Sequence, residues 1–272
     1  MRADPPEGGQ LGLAKPGPVL KGVLLTLFLL WVTFALALNW GGASDQLFRL
    51  FVGNADAILS GQVWRLVTPL FMHMPTQTIS HIFSVLLGLY FLGNALEESW
   101  GSRRFLGFLL LTGVLSYAVQ FVAALVLPQF FRDRLVPEEW FGAMPVVDAV
   151  AIAWALSFKG RTVLLFFVLP VSSRGLLLLV IGMNVLMVIV GAGNFAGHVA
   201  LFAGMGAGWF FGGGTPSPAR RWMLKLRLKQ LATEQARIKQ DRKGRVQKSS
   251  LRVIEGGRAK QDSSSDDKTW LN

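Results

Sequence analysis

The stretch EEWFGAMPVVDAVAIAWAL, residues 138–156, has the composition of a membrane-buried helix and its approach. Apolar residues dominate it from Trp140 onward, yet Pro145 stands near its beginning and Asp148 lies inside its apolar part. A proline in the first turn of a helix removes no intrahelical hydrogen bond, so Pro145 is compatible with a helix start. A carboxylate in a membrane helix is costly, which makes Asp148 a candidate functional residue.

Five other parts of the chain have the same apolar character. A helix needs roughly 20 mostly apolar residues to cross about 30 Å of hydrocarbon. The chain has 272 residues, 52% of them hydrophobic, and its mean hydropathy is +0.45. Six windows are long and apolar enough to be considered: 23–40, 78–96, 105–127, 141–158, 175–193 and 195–213. We therefore predict an all-α, polytopic membrane protein with six transmembrane helices.

Basic residues are distributed unevenly among the connections between these windows. One set of alternate connections holds Arg103, Arg104, Lys159, Arg161 and Arg174, followed by fifteen Lys or Arg after residue 213. The opposite connections hold only Arg49, Arg65, Arg132 and Arg134. Because positive charge concentrates on the cytoplasmic side, both termini are predicted to be cytoplasmic. The lack of N-x-S/T sequons and of a retention motif favours a bacterial inner (plasma) membrane.

Composition divides the chain into three parts. Residues 1–20 are rich in Pro and Gly and are predicted to form a short, disordered cytoplasmic segment. Residues 21–213 form the predicted membrane domain, in which the apolar connection 159–174 is too short to span and is expected to be re-entrant or interfacial. Residues 214–272 form a basic tail, predicted to begin with an amphipathic helix on lipid headgroups, or a solvated helix, and to end in disorder.

Polar residues inside the apolar windows are the candidate functional groups. They comprise His81, Asp148, Asn184 and His198, with His73 shortly before the second window. The chain has no cysteine, which excludes disulfides, zinc thiolates and thiol catalysis. The basic tail suits an anionic membrane surface, so we expect membrane lipid as a partner and no nucleic acid.

Several short motifs occur in an order that resembles the rhomboid family of intramembrane serine proteases. They are VWRLVTPLFMH with its Trp64-Arg65 pair, SHIF, FLGNALEESWGSRRFLGFLLLTG, WFGA, LPVSSRGLLL and AGHVALFAGMGAG. The resemblance covers roughly residues 20–212. It implies a rhomboid-like bundle of six transmembrane helices.

The resemblance also implies where a nucleophile should lie. Rhomboid proteases carry a serine in a Gly-x-Ser-Gly motif at the head of the fourth span. Aligning Gly142 with the first glycine places Met144 at the serine position, whereas aligning WFG places Pro145 there. Neither alignment leaves a hydroxyl, and a histidine without an adjacent nucleophile cannot carry out acyl transfer.

The remaining family positions are partly retained. His198 matches the general base in the sixth span, and His81 matches the histidine of the second span that helps to hold the oxyanion. The asparagine expected four residues later is Val85. Ser80 and Ser84 are the alternative nucleophiles, but such residues in membrane helices usually bond to their own backbone or to a neighbouring helix.

Other polar and small residues have interpretations that need no catalysis. Asp148 is expected to point towards His198 and to form a polar pair with it. Histidines retained from a protease ancestor account for these residues without a metal, so no metal and no small-molecule cofactor is expected. Trp64 and Arg65 are expected to support the first loop, and Gly204 and Gly208 to allow close helix packing.

The sequence therefore predicts a rhomboid-like pseudoprotease that lacks the serine nucleophile and binds transmembrane segments of client proteins. Such recognition depends on helix packing and interhelical hydrogen bonds rather than on a serine. The alternative is an active rhomboid intramembrane serine-type endopeptidase that uses an unrecognised nucleophile. A transporter is disfavoured because the chain shows no inverted repeat.

Overall fold

Helices dominate the computed structural model, which describes residues 15–75, 79–165, 169–214 and 217–248. Most of the predicted N-terminal segment and the predicted disordered end of the tail lie outside these ranges. The chain divides into two compact units, Met1–Trp222 and Met223–Asn272. The helices in chain order are α1 (Pro18–Asn39), α2 (Asp45–Arg49), α3 (Ala55–Leu59), α4 (Ile79–Trp100), α5 (Ser102–Val126), α6 (Gln129–Leu135), α7 (Met144–Ser157), α8 (Ser173–Ile189), α9 (His198–Ala207) and α10 (Pro218–Lys248).

Each of the six apolar windows contains one of these helices. Among the described residues, α1, α4 and α5 are long and apolar enough to cross a membrane by length and composition. The other three windows contain the shorter apolar helices α7, α8 and α9, and α9 continues as a π-helical turn, Gly208–Gly212. The prediction of a helical membrane protein is confirmed. Of the six predicted spans, three are helices that qualify by length and composition.

The connection between α7 and α8 departs from the all-α prediction. It contains a two-stranded antiparallel sheet of β1 (Thr162–Leu165) and β2 (Leu169–Ser172), in which Thr162 pairs with Ser172. Gly160 has a φ of 80° and turns the chain after α7, and the side chain of Ser172 caps α8 by accepting from the Gly175 amide. The apolar and β-branched residues between Gly160 and Ser172 favour β-strands. The all-α description is therefore wrong at this connection.

Helix α7 lies at the centre of the membrane unit, with α4, α5, α8 and α9 packed against it. Every residue of α7 from Pro145 to Ala155 is buried. A helix that is apolar on all sides must be surrounded by protein or by lipid, and here neighbouring helices surround α7. This arrangement places the start of α7, where the family motif falls, inside the protein.

The start of α1 is held by the end of α4. The buried carboxylate of Glu97 accepts hydrogen bonds from the amides of Val19 at 3.0 Å and Leu20 at 2.8 Å. It also accepts from the hydroxyl of Ser102 at 2.7 Å, across the turn into α5. The first amides of a helix lack intrahelical partners and favour a negative group, so Glu97 acts as the cap of α1.

The second unit, Met223–Asn272, is described over most of α10. Side chains from Trp222 to Asp241 on this helix are all exposed within the structure. The helix carries both basic and aliphatic side chains along its length. It is the described part of the predicted basic tail.

Candidate functional site

The start of α7 is fixed by hydrogen bonds from three other parts of the membrane unit. Gly142 adopts a φ of 105°, donates its amide to the Pro69 carbonyl at 2.8 Å and accepts the Tyr117 hydroxyl at 2.5 Å. The preceding amide of Phe141 donates to the Phe195 carbonyl at 2.9 Å. Pro145 occupies the first turn of α7, where no amide is needed. The backbone at the family motif is thus held in one conformation.

Two histidines lie against this turn. The rings of His73 and His81 have centroids 5.2 Å apart. The Ala143 amide donates to Nε2 of His73 at 3.3 Å, which leaves Nδ1 to donate to the Phe71 carbonyl at 3.4 Å. A Cβ added to Gly142 would lie 2.7 Å from Cε1 of His81, so the glycine allows this imidazole to contact the backbone.

His73 lies in the loop before α4 and is kept neutral by its surroundings. Burial, with a further contribution from neighbouring His81, lowers the pKa of His73 from 6.5 to about 3, and the hydrogen bond to Phe71 opposes this shift. The acceptor role of Nε2 towards an amide requires the neutral ring. At neutral pH His73 therefore connects the loop before α4 to the start of α7 through hydrogen bonds.

His198, the residue matched to the family base, begins α9. Its Nε2 lies 2.9 Å from the Ala192 carbonyl, to which it must donate, and its buried Nδ1 has no hydrogen-bond partner among the described residues. Within the described ranges, no hydrogen bond or ring contact connects His198 to His73 or His81. The Gln120 side chain accepts from the Ala200 amide at 2.9 Å and caps the same helix end.

Asp148 and His198 were expected to pair, but each bonds elsewhere. Oδ2 of Asp148 accepts from Nδ2 of Asn184 on α8 at 3.3 Å. Nδ2 of Asn184 also bonds to the Val180 carbonyl at 2.9 Å. The rotation of α7 directs the carboxylate towards α8 and not towards His198. Its partner is the side-chain amide of Asn184, which was itself among the candidate polar residues.

The residues at the start of α7 offer no nucleophile. Gly142, Ala143 and Pro145 are buried, Met144 is half-buried, and none has a hydroxyl. Val85, at the position of the family asparagine, is fully buried in the apolar core. Ser80 and Ser84 are exposed on α4, on its outer surface. No group of three or more His, Asp or Glu side chains that could hold a metal occurs within the described ranges.

The Trp64-Arg65 pair lies in a loop held together by its own hydrogen bonds. Arg65 donates to the carbonyls of Arg49 and Val52 at 2.5 and 2.7 Å, and to Oε1 of Gln62 at 2.7 Å. The indole of Trp64 donates to the Leu50 carbonyl at 3.2 Å. Both side chains therefore connect the short 3₁₀ helix Val63–Leu66 to α2 and its end, which is a structural role.

Gly204 and Gly208 lie where α9 contacts α7. A Cβ at Gly204 would overlap the Pro145 carbonyl oxygen, and one at Gly208 would overlap the Ala149 carbonyl oxygen. The two backbones are therefore in direct contact, as close helix packing through glycine requires. This contact sets the position of His198 relative to the start of α7.

Comparison with known proteins identifies relatives in the rhomboid group. The family described as eukaryotic integral membrane protein (DUF1751) matches residues 20–212. Rhomboid protease GluP of Bacillus subtilis is 31% identical over 90 residues, covering 33% of this chain and 17% of that protein. RHOMBOID-like protein 12, mitochondrial, of Arabidopsis thaliana is 28% identical over 186 residues, covering 64% of this chain and 51% of that protein.

A third relative, rhomboid protease GlpG of Salmonella newport, is 30% identical over 107 residues, covering 39% of this chain and 36% of that protein. The aligned part of the chain thus spans about half or less of the length of these relatives. The predicted resemblance to rhomboids is confirmed. The predicted bacterial inner membrane is wrong, because the matching family is eukaryotic, whereas an integral membrane location is supported.

Proposed function

Because the chain belongs to the DUF1751 family of eukaryotic integral membrane proteins and is rhomboid-like, we propose that it binds transmembrane segments of client proteins without cleaving them. The observation that carries the proposal is the residue set Gly142 to Pro145 beside His73 and His81. It contains no hydroxyl or thiol, and acyl transfer requires an activated nucleophile. His198 correspondingly donates to a backbone carbonyl.

The proposed architecture is a six-helix bundle with both termini in the cytoplasm. At about 1.5 Å per residue, the 14-residue α7 is roughly 21 Å long and falls short of about 30 Å of hydrocarbon. Its burial within the bundle makes this length tolerable, because its ends face protein rather than lipid. The alternation of basic and less basic connections supports the orientation.

Client binding needs a helix surface that faces lipid and is only loosely held by the bundle. Helix α8 fits this requirement, since only Ser173, Leu176 and Val180 are buried in it. Leu178 and Ile189 on this helix are about three-quarters exposed, at 76% and 75%. Helices associate in lipid through packing and hydrogen bonds, neither of which requires a serine. Membrane lipid and client transmembrane helices are the proposed partners, with no small-molecule cofactor.

The competing function is intramembrane proteolysis through an unrecognised nucleophile. It is favoured by the relatives that carry the name rhomboid protease. Ser80 and Ser84 are the serines nearest to His81 along the chain, yet both are exposed on α4. His81 lies on the same helix, so rotation of α4 as a rigid unit would not bring either serine closer to it.

The two functions are separated by one reconstitution experiment. The full chain in liposomes is mixed with a panel of purified single-span proteins and with a fluorophosphonate probe. The binding function predicts no cleavage and no labelling, together with saturable energy transfer between the chain and a subset of the panel. Cleavage that is lost in His198→Ala, with Ser80→Ala and Ser84→Ala locating the nucleophile, would overturn the proposal. Folded protein that neither cleaves nor binds any member would also contradict it.

A further inference from the structure

Four of the five Leu and Ile side chains of α10 lie on one face of the helix, and Leu226 lies on the opposite side. Leu224, Leu228, Leu231 and Ile238 are spaced by four, three and seven residues, which places them on the same side of an α-helix. We call these four residues the α10 aliphatic face. All four are exposed within the structure. An exposed aliphatic stripe on a helix needs an apolar surface to cover it.

The charges of α10 indicate what that surface is. Between residues 218 and 241 the helix carries seven Lys or Arg side chains and only two acidic ones, Glu234 and Asp241. Arg227 and Lys239 lie on the two sides of the aliphatic face, each about 60° from its centre by the angular spacing of residues in a helix. Long basic side chains beside an apolar stripe can lie along it and direct their charged ends to headgroups. This charge pattern is complementary to an anionic surface.

A second copy of the same helix would be a poorer cover. In a coiled coil, Leu224, Leu231 and Ile238 would take one of the two core positions of the heptad. The other core position would be occupied by Arg221, Leu228 and Gln235, of which two are polar. Like charges along both copies would add repulsion. The pattern therefore fits a lipid surface better than self-association.

We propose that the α10 aliphatic face binds the headgroup region of an anionic lipid leaflet, with the basic side chains contacting lipid phosphate and carboxylate groups. This inference concerns the tail alone and is independent of client binding. Helices of this type lie in the plane of the interface and bind by buried apolar area together with charge. The ligand is a lipid surface that carries net negative charge.

The absence of cysteine makes a direct test possible in the full chain. Single cysteines replace Leu231, on the aliphatic face, or Thr233, about 160° away on the same helix, and both sites are exposed. Each receives a nitroxide spin label, and the protein is reconstituted in phosphatidylcholine liposomes with or without 30% phosphatidylserine in both leaflets. Accessibility to oxygen and to a water-soluble nickel chelate then measures the depth of each label.

The proposal predicts that the Leu231→Cys label is buried in anionic liposomes and returns to water in neutral liposomes or at high salt. The Thr233→Cys label should remain accessible to the nickel chelate throughout. Replacing Arg227, Lys229 and Lys239 by Gln should lower the bound-to-free ratio roughly a hundredfold, since each basic residue near an anionic leaflet contributes about fivefold.

Two results would overturn the proposal. One is a Leu231→Cys label that is equally accessible to water in both lipid compositions. The other is burial that does not depend on lipid charge and is accompanied by spin–spin broadening, which would show that α10 self-associates. Soluble phosphoserine added to neutral liposomes tests whether the ligand is a lipid surface or a soluble anion. The proposal predicts that the label remains in water under these conditions.

Discussion

Asp148 on α7 and Asn184 on α8 are joined by a hydrogen bond of 3.3 Å between two apolar helices. The carboxylate is buried, while Asn184 is only half-buried and also bonds to its own helix at Val180. Among the described residues, this hydrogen bond is the polar side-chain contact that joins α7 to α8. A polar pair inside an apolar bundle specifies how the two helices are rotated relative to each other.

Replacing Asn184 with Leu should destabilise the protein by leaving the Asp148 carboxyl without its partner. The double variant Asp148→Leu/Asn184→Leu should recover part of the loss, with a coupling free energy of roughly 0.5–2 kcal/mol, the range for hydrogen bonds between membrane helices. Reversible unfolding in bicelles measures the cycle. Met183→Leu, at an exposed neighbouring position, is the control. Strictly additive single effects would show that the pair is not energetically coupled.

The contact between α9 and α7 predicts opposite responses at two nearby glycines. Gly204→Ala should cost about 1–3 kcal/mol, because its Cβ would overlap the Pro145 carbonyl oxygen and force the helices apart. Gly206→Ala on the same helix has no atom within 4 Å of the added Cβ and should be neutral or slightly stabilising. Unfolding of both variants under identical conditions checks the prediction. Equal effects at the two positions would contradict the close contact between Gly204 and the Pro145 carbonyl.

The cap of α1 predicts a similar contrast between two adjacent glutamates. Glu97→Ala should destabilise the protein by roughly 1–3 kcal/mol, since two amides and the Ser102 hydroxyl lose a buried charged acceptor. Glu98→Ala, at an exposed position, should change stability little. Amide hydrogen exchange at Val19 and Leu20 should quicken in the first variant alone. Unchanged exchange there would mean that Glu97 does not cap the helix.

His73 predicts a loss of stability in acid. Its folded pKa of about 3 lies below the ordinary value of 6.5, so the unfolded chain binds the additional proton between these pH values. Above pH 6.5 the histidine is neutral in both the folded and the unfolded chain, so it does not lower the free energy of unfolding there. As pH decreases from 6.5 towards 3, that free energy should fall by up to about 1.4 kcal/mol per pH unit. Unfolding between pH 7.5 and 5 should show a shallower slope in His73→Gln. An identical slope in the variant would exclude His73 as the source.

The helices, and the residues that stand where the rhomboid serine motif would fall, could be predicted from the sequence. Apolar runs must leave water whatever their neighbours are, so each of the six windows contains a helix. Pro145 marks the first turn of α7 because its ring is tolerated there. The pairing of β1 with β2 was not predicted, because a short apolar run does not by itself distinguish a strand from an interfacial segment.

The partners of buried polar groups were decided by the tertiary structure. Periodicity places Asp148 on a face of α7, but the rotation of α7 against α8 and α9 determines whether Asn184 or His198 lies opposite. Glu97 caps α1 across 77 positions of the chain, a relationship for which the local sequence carries no signal. The sequence by itself determined which segments form the apolar helices of the membrane unit, because transfer from water depends on each segment's own composition. Only the tertiary structure decided which polar groups meet there, because helix rotation and depth are set by packing between distant segments.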